Sequence, residues 1–308
     1  MFSFSLLAGA LAQNRAPFGM EKHSIHLSNT LIDGLVVSYL TFTALLSFWL
    51  LDAGHITGLH ISLILGIFAL RKIAWSGRQV CHDWYAVLLV PLLYGELDIL
   101  RGVAKGRVYD ELVLSWEHVL FSGSSPATWL SQEFPYLWLS EYLHFCYLVF
   151  YVLIPWVGYR IYRKSGAETF RLYVWSVMSP YLATYMVQMF FPVVGPRPLF
   201  PPLAEELQGP FWKFCHFLCG YGSSGAAAFP SSHVTVGVAV TIAAWYWDKK
   251  AFVCFLPITL GLSLCTVYGR FHYAVDAIAG ALLAAFFLQW SPWFYRRLHN
   301  YVHGVSAV

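Results

Sequence analysis

Phe229-Pro230-Ser231-Ser232-His233 opens an apolar run that reaches Trp247, turns at Asp248-Lys249-Lys250 and returns to Arg270-Phe271-His272-Tyr273-Ala274-Val275-Asp276. Read as helices, the limbs 231–248 and 251–268 each climb about 27 Å at roughly 1.5 Å per residue, most of a bilayer core. The chain goes in, turns at a charged tip and comes out. His233 and His272, distant in sequence, are therefore expected at one membrane face.

The composition agrees with a membrane setting. Charged residues make up 11% of the 308 and hydrophobic ones 58%, and the mean hydropathy is +0.58. A soluble domain carries about 25% charge. The 13 Trp and 19 Tyr suit interfacial belts, where a ring with a polar tip sits between lipid and water. The net charge of +3 and the absence of a basic run give no sign of a nucleic-acid partner. The six cysteines are scattered, which argues against a disulfide framework. Met1 to Ala12 is apolar without a basic start and reads as a short interfacial segment rather than a cleaved signal.

The expected fold is all-α, a polytopic transmembrane bundle of about eight spans: 31–53, 57–72, 84–100, 137–160, 170–191, 231–248, 251–268 and 273–290. Residues 1–308 form one membrane domain. Within it, 1–136 holds N-terminal spans and interfacial helices, and 137–290 the catalytic helices, with motifs in 190–276. Segment 101–136 is mixed in character and reads as helices lying on the surface. With the N-terminus inside, Arg101, Lys105, Arg107, Arg197, Lys213 and Arg270 fall outside, leaving 13 of the 19 Lys and Arg inside. This bias places both termini in the cytoplasm and the histidines outside, in a plasma or inner membrane.

Three segments converge on the outer face: Pro192–Pro198, the start of the sixth span, and the turn before the eighth. Arg197 and Arg270 are permanent cations whose planar forks match phosphate oxygens. Ser231, Ser232 and His233 open a helix, so their amides favour an anion; the serines also read as plain caps. His272 and Asp276 stand four apart, a spacing that lets Asp276 hold one imidazole proton and leave the other nitrogen nucleophilic. His233 is placed to protonate a leaving oxygen. These parts suit phosphoryl transfer through a phosphohistidine, with no metal and no cofactor. Arg270 has the alternative of snorkelling to the interface.

At these residues, over about 170–290, the chain resembles the type 2 phosphatidic acid phosphatase superfamily. The Pro-Ser-Ser-His block and His-Tyr-Ala-Val-Asp-Ala-Ile-Ala-Gly carry the resemblance, and Arg197-Pro198 matches the end of the first motif. The resemblance implies a six-helix phosphatase-type core, His272 as nucleophile with Asp276 as its partner, and His233 as the second-motif histidine. Phe190 stands where the family has a first-motif lysine, and Thr266 where it has a third-motif arginine. Arg270, two before the histidine, is similar to the branch containing inositol phosphorylceramide synthases.

Glu96, Asp98, Glu141 and His144 read either as residues that select a head group or acceptor, or as ion-pair partners of Arg101, Lys105 and Arg107. Glu141-x-x-His144 lacks the second such pair that a carboxylate-bridged metal site uses. Cys215 and Cys219 read equally as a local disulfide or free thiols on an aromatic helix facing lipid. Gly220–Gly225 reads as a flexible loop over the site. The expected function is a membrane phosphoesterase or phosphotransferase acting on a lipid phosphate ester with water or an alcohol as acceptor. The alternative is a transporter or binding protein that uses the same anion site without catalysis.

Overall fold

Residues 29–74, 79–222 and 225–302 are described by a computed structural model. The segment Met1–Ala12 lies outside the described residues. α1 (Asn29–Leu50) and α2 (Gly54–Ala74) form an apolar hairpin, followed by α3 (Gln79–Gly95). Such runs stay helical in lipid because a helix satisfies its own backbone groups, which water cannot reach there. Two short helices follow, α4 (Asp110–Leu120) and α5 (Pro126–Glu133). Neither is long enough to cross. Leu112, Trp116, Val119 and Leu120 of α4 and Trp129 of α5 present exposed apolar side chains.

The helical stretch α6 (Leu137–Phe190) is broken at Gly166, whose φ of 84° is non-helical. Its two arms, 137–165 and 167–190, replace the separate spans expected at 137–160 and 170–191. After a loop come α7 (Pro210–Gly222), α8 (Ser232–Trp247), α9 (Lys249–Tyr268) and α10 (Ala274–Val302). Part of the glycine-rich stretch expected to be a loop is instead the last turn of α7; residues 223–224 lie outside the described residues. Among the described residues four helices are long and apolar enough to cross a membrane: Thr30–Leu50, Gly54–Ile73, Leu137–Phe190 and Lys249–Tyr268. Ala274–Trp290 is shorter and apolar.

The arms of α6 pack with α8 and α9 around a core rich in rings, Tyr147, Phe150, Phe170 and Tyr173 among them, and α10 packs against α8 and α6. α10 comes close to the start of α8 at Gly280, where a Cβ would stand 2.6 Å from the Ser231 carbonyl oxygen. Thr235 Oγ1 donates to the Gly280 carbonyl at 3.1 Å.

The far end of this hairpin is tied by charge. Asp248 caps α9 and accepts hydrogen bonds from Arg160 Nε at 2.7 Å and Lys164 Nζ at 2.8 Å. Burial alone raises its carboxyl, but those two bonds outweigh it and hold it down to about 2, against an ordinary 3.8. The folded value lies below the unfolded one, so this contribution is present above about pH 4 and is lost as pH falls towards about 2. Asp248→Asn is expected to lower stability by roughly 1–3 kcal/mol, read as a fall in Tm at neutral pH that shrinks in acid.

Candidate active site

α8 is capped by Ser231, whose side chain accepts from the Val234 amide at 3.4 Å. That cap puts His233 in the first turn, where its ring stacks on Tyr147 (centroids 4.7 Å apart) and against Phe150 (4.5 Å), both on the first arm of α6. His272 lies in the turn between α9 and α10, its amide bound to the Thr266 carbonyl at 2.8 Å. The two imidazole centroids are 6.2 Å apart, so the histidines meet at one end of the bundle, as the hairpin reading expects.

The Pro192–Pro198 loop is pinned beside them. Val193 N–H donates to Ala226 O at 3.2 Å, and Ala228 N–H donates to Val193 O at 2.8 Å. Gly195, at φ 92°, passes so close to the His272 turn that a Cβ would stand 3.0 Å from the Phe271 carbonyl oxygen. A side chain there meets both strain and a backbone neighbour. The loop delivers Arg197, whose guanidinium lies 4.9 Å from the centre of the Phe271 ring. Arg197, His233, His272, Tyr94, Tyr147 and Tyr151 help to line one cavity of about 40 Å³. By the same measure a water occupies about 10–15 Å³, so the space suits the oxygens of one tetrahedral oxyanion.

His272 Nδ1 lies 2.8 Å from the Ala228 carbonyl oxygen. A carbonyl only accepts, so Nδ1 carries the proton and Nε2 keeps a lone pair. Asp276, expected to hold that proton, lies further off than the Ala228 carbonyl. Its Oδ2 is 3.5 Å from Nδ1 and accepts the Tyr273 amide at 2.8 Å. α10 begins only at Ala274, so His272 is not on its helical face, and the nearer orienting acceptor is Ala228.

Burial pushes the His272 imidazole down to about 4; the Ala228 bond opposes this and the Arg197 charge reinforces it. Because protonation removes the lone pair, nucleophilic capacity is expected to persist well below pH 6.5 and vanish as pH falls through about 4. A ring NMR titration, assigned by comparison with His272→Gln, checks this; a midpoint near 6.5 contradicts it.

Other expected site residues sit elsewhere. Arg270 is buried at φ 61°. It turns to α5, donating from Nε to Ala127 O and from Nη2 to Ser131 Oγ, both at 3.3 Å. It does not line the cavity. The Ser231 amide is taken by the Asp276 carbonyl at 3.0 Å, whereas the Ser232 and His233 amides meet no acceptor among the described residues. Glu141 caps α7, accepting from the amides of Phe211 (2.9 Å) and Trp212 (3.1 Å). Glu96 pairs with His60 at 2.7 Å. His144 bonds the Ser140 carbonyl and lies behind Phe271. None of these three lines the cavity. Cys215 and Cys219 are free and buried, and Cys219 touches the cavity. Among the described residues no group of three or more His, Cys, Asp or Glu is arranged to hold a metal ion.

The tyrosines of the cavity wall and the Ala228 carbonyl were missed by sequence reasoning. Tyr147 and Tyr151, four apart on one helical face, are the only local hint. A family model described as the PAP2 superfamily matches residues 111–290, more than half of the chain. No curated protein and no solved structure matches it.

Proposed function

The chain belongs to the PAP2 superfamily, and from that premise we propose that it cleaves a phosphate ester of a lipid through a phosphohistidine. Membership implies a phosphatase-type phosphoesterase, and together with the apolar helices an integral membrane protein. The substrate class and covalent intermediate are this reading's own. The observation that carries it is the approach of the His233 and His272 rings to 6.2 Å beside a cavity that Arg197 also lines.

In this reading His272 Nε2 attacks phosphorus, and the N–P bond forms as the ester P–O bond breaks. His233 gives its proton to the departing alkoxide. Arg197 and the Ser232 and His233 amides hold the non-bridging oxygens, where fixed donors lower the barrier by stabilising charge. An acceptor hydroxyl then loses its proton to His233 and attacks phosphorus. The P–N bond breaks and His272 is restored. Water as acceptor releases phosphate. An alcohol such as inositol yields a new ester, as the likeness to inositol phosphorylceramide synthases suggests. The arrangement proposed is eight crossings with both termini cytoplasmic and the site facing outward, supported by the Lys and Arg bias.

The test is purified protein with radiolabelled lipid phosphomonoesters and phosphodiesters, with and without inositol, in chelator. Free phosphate assigns hydrolysis, and a new inositol lipid assigns transfer. No product from any donor overturns the reading in favour of binding alone. Activity that chelation abolishes and a metal restores overturns its metal-free part.

A further inference from the structure

Asp110, the first residue of the interfacial helix α4, reaches two of the three segments that build the site. Its Oδ2 accepts the Val194 amide at 2.9 Å, and its Oδ1 accepts the Gly195 amide at 2.8 Å. Oδ1 also accepts the Tyr273 hydroxyl at 3.2 Å. The path closes on itself. Val193 is bonded to Ala228, the Ala228 carbonyl holds His272 Nδ1, and Tyr273 follows His272 and returns to Asp110. A single carboxylate thus spans the loop that carries Arg197 and the turn that carries the nucleophile. Seven residues further along α4, Glu117 is fully buried and accepts the Ser125 hydroxyl at 2.7 Å and the Val275 amide at 3.3 Å. The helix is therefore bound to the His272 turn at Tyr273 and to the start of α10 at Val275.

We propose that Asp110 is a positioning residue, a clamp that sets Arg197 relative to His272 and so fixes the oxyanion cavity. This deepens the phosphoesterase reading and rests on it for its effect on turnover. The chemistry favours a carboxylate here. Two successive amides and a hydroxyl all donate, so the acceptor needs two oxygens and no hydrogen. Asparagine supplies one oxygen and turns an NH2 toward a donor. The helix that carries Asp110 shows apolar side chains on its outer surface, so the clamp also anchors the site to an element suited to the membrane interface.

The test uses the full chain in lipid nanodiscs. Native protein, Asp110→Asn and Tyr273→Phe are compared for orthophosphate affinity, amide hydrogen exchange over residues 193–197, and kcat and KM. In folded Asp110→Asn, orthophosphate binding is expected to weaken about tenfold. The 193–197 amides are expected to exchange faster without a matching rise in the core helices, and kcat to fall about 10–100-fold. Tyr273→Phe, which removes only the hydroxyl, is expected to show the same three changes at smaller size. Should Asp110→Asn not fold, Tyr273→Phe decides alone. Orthophosphate affinity and local exchange equal to native in a folded variant overturn the clamp, as does loss that merely tracks the unfolded fraction. Both readouts need no turnover. A native protein that cleaves no ester therefore sinks the phosphoesterase reading while binding and exchange still judge the clamp.

Discussion

His272→Ala is expected to lower phosphoester cleavage by roughly 10⁴-fold or more while leaving the protein folded, because removing a nucleophile removes the pathway that it opens. The reason lies in one atom. The Ala228 carbonyl accepts a hydrogen bond from Nδ1–H, so Nε2 is the nitrogen left with a lone pair. Alanine has neither. Rapid quench of native protein with a labelled donor should trap label that survives base and is released by acid, as a phosphoramidate is. The variant should trap none. Retained turnover, or label equal in both proteins, ends the phosphohistidine scheme. The substitution does remove a buried ring, so its melting temperature is measured alongside to separate lost chemistry from lost packing.

His233→Ala should give the second largest effect, and one that depends on the leaving group. A general acid contributes about 10²–10⁴-fold, and most to an alkoxide that departs badly without a proton. An alkyl phosphate ester should lose turnover by about that factor. A nitrophenyl ester, whose leaving group needs little protonation, should lose far less in the first chemical step. The ratio of the two losses is the measurement. Equal losses would assign His233 to binding rather than to proton transfer. Its place supports the acid role: the ring is held between Tyr147, Phe150 and the facing imidazole, which limits how it turns.

Much of the site was readable because it is written locally. Ser231 opens a helix by a short-range rule, and the structure shows it doing so. The apolar hairpin closed by Asp248 brought its two ends together by length alone. Other readings failed for equally physical reasons. Arg270 carries the right chemistry for phosphate, but its positive φ and the nearby carbonyl of Ala127 turn it into α5. Glu141 is expected near the outer end of the fourth span, yet the amides that open α7 claim it. Asp276 does come within 3.5 Å of His272 Nδ1, but the Ala228 carbonyl is nearer at 2.8 Å and the Tyr273 amide binds the same carboxylate oxygen. For Arg270 and Glu141 the residue type was legible and its partner was not, because the partner lies on another element.

The membrane setting and the helical class are legible in hydropathy, and short motifs single out the two histidines and Arg197. Which groups they meet follows from the packing of the bundle. It chose the Ala228 carbonyl over Asp276 as the nearer acceptor for His272, brought three tyrosines to the cavity wall, and set Asp110 between the Arg197 loop and Tyr273. The reason is range. A hydropathy pattern needs only neighbours along the chain, whereas a hydrogen bond between residues 110 and 273 depends on how every intervening helix packs.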